Sequence, residues 1–356
     1  MTYEFPVNPA DLYGERRPQF VNHGLPSADL DQVVSRVTQM WADEPGGWTY
    51  EFCALAARYA SEGQHDRAAL AYGVARFPVL ANQSKRKAMA LQVEQYTKAA
   101  PTFGVCFERR ILQLPYRGTT TPVPVHLLSP TPDFTQTPVV IASGGIDSWK
   151  MDIHAIVTAF VRGANVTVMG FDHPGTGETE AALDQDADEV IDGLIDTARH
   201  LGDGRVVHFG LSFGGNFAAA SGLRGVVDAA IDLGGPVKPL EPDNIEHLPF
   251  GMRDILGNAL GFSASPCVDE IATAAAPFNR SALLDQGTNC PMLVINGADD
   301  VHVPQQDTLV FEGRRDTEVH LIPGTGHCTN SKLPETVRLM TNWLRNFLAS
   351  DKPATA

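Results

Sequence analysis

Four short apolar runs constrain what this chain can fold into: Val139-Val140-Ile141, Val166-Thr167-Val168-Met169, Val206-Val207-His208-Phe209 and Met292-Leu293-Val294-Ile295. A strand with one wet face alternates apolar and polar residues. A run that is apolar throughout must be covered on both faces, as in a parallel sheet between helices. Pro138 stands just ahead of the first run, where its missing N–H does least harm to a ladder. With weaker β-branched stretches added, the pattern predicts eight strands at about 107–113, 123–128, 139–142, 166–171, 205–209, 226–233, 291–296 and 318–322. The segments between them are amphipathic. In 183–201, Leu183, Ala187, Val190, Ile191, Leu194 and Ala198 form one stripe opposite carboxylates, and Val337, Met340, Trp343, Leu344 and Phe347 line the last helix. The predicted class is α/β, an eight-stranded, mostly parallel sheet with helices on both faces.

Two regions depart from this rhythm. Residues 1–105 read as helical: Phe52, Leu55, Ala56, Tyr59 and Ala60 recur at helix spacing, Gly63 interrupts, and Ala68, Ala69, Tyr72 and Ala75 resume before Pro78. The pair looks like one unit of a helical repeat, but no second copy follows, so an N-terminal helical cap domain is the better reading. Residues 106–350 form the expected catalytic domain. Within it, 235–288 carries Pro236, Pro239, Pro242 and Pro249 with a short helical stretch at Met252–Leu260. This is an expected cap insertion over the carboxyl edge of the sheet, where ligands bind in such folds. Residues 351–356 are expected to be a disordered tail.

The net charge of −15 offers no basic patch for nucleic acid, and the acidic run 184–196 is expected to be a solvated helix face. Cys53, Cys106, Cys267, Cys290 and Cys328 are odd in number and scattered, which suits reduced thiols in a cytoplasm. No apolar stretch approaches a membrane span and the first twenty residues lack a signal-peptide core, so a cytosolic location is expected. An apolar helical cap makes a homodimer a candidate assembly. No metal-ligand spacing or dinucleotide fingerprint occurs, and the expected partner is a small-molecule substrate with no cofactor.

The chemistry is concentrated after the strands. Gly210-Leu211-Ser212-Phe213-Gly214 follows the fifth strand and opens a helix, a tight turn in which flanking side chains would collide and which lifts a serine hydroxyl into the cleft. A serine nucleophile needs a base, and the base an orienting acid. The loop after the eighth strand supplies His327. The loop after the seventh, Asn296 to Pro304, supplies Asp300, favoured over Asp299 because it stands four residues before Pro304. Oxyanion donors are expected from the N–H of Phe213 and from the Ser143–Ser148 loop, at Ile146 or Gly145. Asp147 or Ser148 is expected to cap the next helix, and Lys150 to pair with Asp152. His173 and His302 are candidate substrate contacts, although a loop-surface position is the plainer reading of His302. His208, inside a strand, is read as core.

Gly144-Gly145-Ile146-Asp147-Ser148-x-Lys150, Asp172-x-Pro174-Gly175-Thr176-Gly177-Glu178 and Gly210-x-Ser212-x-Gly214-Gly215 resemble the fermentation–respiration-switch-like α/β hydrolases. That family includes the dihydroxypseudooxynicotine hydrolases and the fungal yellowish-green pigment hydrolases that shorten polyketides. Trp41, Trp48 and Tyr50 before the helical pair are similar to the cap of that group, so the likeness spans about residues 20–348. The resemblance implies an α/β-hydrolase fold and cleavage of a carbon–carbon bond next to a ketone, in an aryl ketone or polyketide-type molecule. It also implies an auxiliary cap-side carboxylate some thirty residues beyond the nucleophile, for which Glu241, Asp243 and Glu246 are the candidates and Asp147 a further auxiliary group. Hydrolysis of an ester, lactone or thioester by the same residues is the alternative. A regulatory protein with vestigial catalysis is a more distant one.

Overall fold

The computed structural model describes residues 2–350, so the tail at 351–356 lies outside the described residues. The chain begins with five helices: α1 (Pro9–His23), α2 (Ser27–Val34), α3 (Trp48–Ser61), α4 (His65–Arg76) and α5 (Gln83–Ala99). The pair seen in the sequence is α3 and α4. Their small residues Ala56, Ala68, Ala71 and Ala75 are fully buried among Trp48, Phe52, Tyr59 and Tyr72. Leu12 and Phe20 of α1 join the same apolar cluster. The start of α1 is set by Asn8, whose side chain accepts from the N–H of Ala10 at 2.9 Å, with Pro9 at the first helical position. Its end is set by Gly24 at φ 115°.

The strands are β1 (Cys106–Tyr116), β2 (Thr119–Ser129), β3 (Val139–Ser143), β4 (Thr167–Phe171), β5 (Val206–Leu211), β6 (Ala229–Leu233), β7 (Met292–Gly297) and β8 (Thr317–Ile322). They form one eight-stranded sheet in the order β1-β2-β4-β3-β5-β6-β7-β8. The β1–β2 and β2–β4 pairings are antiparallel and the rest are parallel. β1 and β2 extend further than their apolar cores suggest, because Arg117 (φ 51°) and Gly118 (φ 70°) make a two-residue hairpin turn that carries pairing to Tyr116 and Thr119.

The remaining helices are α6 (His154–Ala164), α7 (Ala187–Leu201), α8 (Phe213–Arg224), α9 (Pro242–Glu246), α10 (Met252–Ala259), α11 (Val268–Ala275), α12 (Ser281–Asp285), α13 (Gln305–Leu309) and α14 (Leu333–Ser350). Alternation along β3 divides the core. Val139 and Ile141 pack with α7 and α8, and Val140 and Ala142 with α6 and α14. All four side chains are fully buried, which accounts for the unbroken apolar run. His208 in β5 is buried with Nδ1 2.9 Å from Ser221 Oγ, and burial pulls its pKa down to about 3. It is a neutral core residue. Helices α9 to α12 occupy the insertion between β6 and β7. Among the described residues, no helix is long and apolar enough to cross a membrane.

Candidate active site

The turn from β5 into α8 puts Ser212 at φ 55°, ψ −126°, a backbone region that residues with a Cβ rarely enter. The surroundings hold it there. Ser212 N–H donates to Leu233 O of β6 at 2.8 Å, and Gly215 N–H donates to Ser212 O at 2.7 Å. A Cβ at Gly210 would lie 2.0 Å from the Gly214 carbonyl oxygen, so the turn closes only with glycine there.

Two loops converge on the Ser212 hydroxyl. His327 Nε2 lies 2.8 Å from Ser212 Oγ, and His327 Nδ1 lies 2.7 Å from Asp300 Oδ2. Asp300 is itself fixed by three donors: Asn296 Nδ2 at 2.8 Å, His302 N–H at 2.7 Å and Val303 N–H at 3.2 Å. Burial works to raise the Asp300 pKa, but the neighbouring His327 and these donors hold it down at about 2. Burial disfavours the His327 imidazolium. Cys328 and the Asp300 carboxylate outweigh it and lift the pKa well above 6.5. The Cys328 thiol donates to Leu233 O at 3.2 Å, so Asp300 is the standing negative charge beside the ring. Such a chain can take the hydroxyl proton onto imidazole while the carboxylate fixes the tautomer. Asp299 is exposed, and its N–H donates to Thr325 O at 3.0 Å.

Phe213 is the first residue of α8, where an N–H has no carbonyl partner within the helix. Gly145 packs against the nucleophile so closely that a Cβ on it would sit 2.8 Å from Ser212 Cβ and 3.0 Å from Oγ. Ile146 and Phe213 line the cavity in front of Ser212. Gly145 thus abuts the hydroxyl, with Ile146 and Phe213 in the lining of the same cavity.

Leu248, Met252, Phe278 and Val303 continue the cavity wall on the apolar side. α1 contributes a polar part of the lining: Arg16, Gln19, Asn22 and His23. The sequence reading does not single out these residues. Buried Arg16 contacts Glu15 Oε2 at 2.6 Å and Asp147 Oδ2 at 2.8 Å, charge contacts lying off the hydrogen-bond line. Gln19 Nε2 donates to Ser148 Oγ at 2.6 Å. Asp147 and Ser148 therefore tether α1 to the β3 loop and do not cap α6, which begins only at His154. Asp152 pairs with Arg76 of α4, and Lys150 with Asp172 and Glu178, so the expected Lys150–Asp152 pair does not form.

His302 is not on the loop surface. Its side chain is 4% exposed, lines the cavity and has Nε2 3.2 Å from Glu15 Oε1. Burial works to raise the Glu15 pKa, but the bond from His302 and the charge of Arg16 bring it below its ordinary value. His173 is buried behind Phe213, its ring 5.6 Å away and Nδ1 2.9 Å from Pro174 O, and burial takes its pKa down to about 4. It does not line the cavity. Glu241, Asp243 and Glu246 are exposed at the start of the insertion and do not line the cavity either. The helices of that segment that line the cavity lie further along the chain, α10 with Met252 and Leu256 and α11 with Ala275.

The family model described as “Esterase FrsA-like” matches residues 34–349. Esterase FrsA of Photobacterium profundum is 26% identical over an alignment covering 94% of this chain and 87% of that protein. Esterase FrsA of Yersinia pestis is 23% identical, over 84% of this chain and 80% of that one. Among solved structures, 2,6-dihydroxy-pseudo-oxynicotine hydrolase superposes with a TM-score of 0.78 at 22% identity, covering 94% of this chain and 96% of its own. AbyA5 superposes with a TM-score of 0.80 at 20% identity, covering 96% and 99%.

Proposed function

The chain belongs to the FrsA-like esterase family and has the α/β-hydrolase fold, and from that premise we propose that it is a serine hydrolase cleaving a carbon–carbon bond next to a ketone in an aromatic or polyketide-type small molecule. The observation that carries the reading is the Ser212–His327–Asp300 chain, at 2.8 and 2.7 Å, opening on a largely apolar cavity. In this mechanism Ser212 Oγ attacks the carbonyl carbon as its proton passes to His327 Nε2. The N–H groups of Phe213 and of Ile146 or Gly145 stabilise the oxyanion, each worth roughly 3 kcal/mol in the transition state. The scissile bond then breaks with its electron pair on the departing fragment, which takes the proton from His327 and leaves the ring neutral. Water attacks the resulting acyl-serine with His327 as base and releases an acid.

The bond type is supported by the likeness to 2,6-dihydroxy-pseudo-oxynicotine hydrolase, which extends over the N-terminal helices as well as the sheet. A second reading, hydrolysis of an ester, lactone or thioester, is favoured by the curated relatives, which are named esterases. Product analysis separates the two. Carbon-skeleton cleavage of an aryl 1,3-diketone supports the first. Release of only an alcohol, thiol or hydroxy acid across a substrate panel sinks it and leaves the second. Fluorophosphonate labelling of wild type but not of Ser212→Ala tests the nucleophile common to both.

A further inference from the structure

We propose that Asn296 is a positioning residue of the Ser212 site, a single buried amide that sets the acid against the base by gripping both of their loops; the inference rests on the serine-hydrolase reading above. Asn296 stands near the end of β7 and is fully buried. Its Nδ2 donates at 2.8 Å to Asp300 Oδ2, the same oxygen that lies 2.7 Å from His327 Nδ1. Its Oδ1 accepts from Gly297 N–H at 2.8 Å and from Cys328 N–H at 3.1 Å. Cys328 directly follows His327. Asp300 and His327 are 27 positions apart in the chain, yet the two loops are held by one side chain.

On the acid side, the two Asp300 oxygens are held differently. Oδ1 takes the His302 and Val303 N–H groups of its own loop. Oδ2 is the oxygen that faces the base, and among the described residues Asn296 is its only other hydrogen-bond partner. Without the amide, the carboxylate stays anchored at the oxygen away from His327 and loses its anchor at the one that orients the ring. On the base side, Cys328 (φ 51°, ψ 24°) and Thr329 (φ 55°, ψ 31°) stand in succession in the left-handed region, which residues with a Cβ seldom occupy. Such backbone persists where its surroundings over-determine it. Thr329 N–H donates to Gly326 O at 2.9 Å, Cys328 Sγ to Leu233 O at 3.2 Å, and Cys328 N–H to Asn296. Of these three bonds, the last is the one that reaches the acid.

The position also selects its residue type. Turned over, the amide would set its oxygen against the Asp300 carboxylate and its NH2 against two N–H groups, so one orientation alone satisfies every partner. Aspartate keeps the acceptor but lacks the donor, and leucine lacks both. Gly234, after β6, makes the room: it has φ 77°, and a Cβ on it would lie 2.8 Å from Cys328 Sγ and 3.1 Å from Asn296 Oδ1. The separation of acid and base is thus fixed from beneath by the ends of β6 and β7, and the two loops do not vary independently.

The test is a double-mutant cycle read by the kinetics of Ser212 labelling with a fluorophosphonate, which needs the base but no knowledge of the substrate. In Asn296→Leu the limiting labelling rate, kinact, is expected to fall by about 10²-fold, the scale of a small misplacement at a reacting group, with KI changed less than about twofold. The same substitution made in Asp300→Asn is expected to cost less than about threefold, because the oriented base has already been lost. Asn296→Asp, of equal size, is the second variant and carries the same cycle if the leucine does not fold; a loss at least as large is expected, with the circular dichroism spectrum retained. A fall in kinact under about threefold in both single variants, or losses that multiply in the double variant, would overturn the positioning role. A wild type that the probe does not label defeats the hydrolase reading itself, whereas a labelled wild type with multiplying losses defeats only the role of Asn296.

Discussion

The two walls of the cavity are built by different means. On the sheet side, Ser212, Asp300 and His327 each stand in a loop at the carboxyl end of a strand, and backbone geometry aims them: a forced φ at Ser212 and three donors on Asp300. On the α1 side, the polar groups sit on an ordinary helix and are held by one another, through Glu15, Arg16, Asp147, Gln19 and Ser148. The first wall depends on turns that close only with glycine, as at Gly210, and it presents the proposed nucleophile. The second is a polar network that ties α1 to the loop after β3. A strained turn fixes one atom; a charge network fixes a whole element.

The comparison is sharpest at the nucleophile. Ser212→Ala is expected to lower turnover by about 10⁶ with the fold retained, and Asp300→Asn by about 10⁴ through loss of base orientation. Steady-state kinetics beside circular dichroism check both, and a comparable loss in Asp299→Asn would shift the acid by one residue. On the α1 wall the effect should appear in stability. Arg16→Met leaves the buried Asp147 and the half-buried Glu15 without their cation, and denaturant unfolding should report a loss of about 3–5 kcal/mol. A loss under about 1 kcal/mol would mean that the network is not what docks α1.

The pH profile tests the sheet side from another direction. His327 must be neutral to accept the Ser212 proton, and its pKa lies above 6.5 beside an Asp300 that stays ionised. The acid limb of kcat/KM should therefore fall as pH drops through a value above 6.5, and a limb below it breaks the assignment. The smallest effect belongs to Glu241→Gln and Asp243→Asn. Both side chains face solvent, so activity should change less than about twofold and stability by under about 0.5 kcal/mol. A tenfold loss of turnover in either would bring the insertion's carboxylates back into the chemistry.

This difference between the walls also explains what can be read in the sequence. Ser212, Asp300 and His327 are legible because the fold requires glycines and loops at fixed places around them, and the four apolar runs because both faces of each strand are covered. The α1 wall is not. Its buried residues include Arg16 and Gln19, so the helix lacks an apolar stripe, and Pro18 lies inside it. The signals available are Asn8-Pro9 and Gly24, which bracket the helix without revealing its inward face. His302 misleads for a related reason, as a histidine in a Pro-ended loop reads as solvated until the helix covering it is known. Asp147 and Asp152 look like local caps and pairs, but their partners, Arg16 and Arg76, are distant in sequence.

The docking of α1 has a further consequence for how the molecule is assembled. Glu15 and His302 are 287 positions apart in the chain. On a ribosome adding about 5–20 residues per second, α1 waits on the order of tens of seconds before that partner is synthesised. Until then Glu15 has Arg16 beside it but lacks His302, and Arg16 has its second carboxylate once Asp147 is made. The α3–α4 pair can close at once, since its contacts are local. α1 is thus among the last elements to settle, and this part of the cavity lining is complete only after residue 302 has emerged.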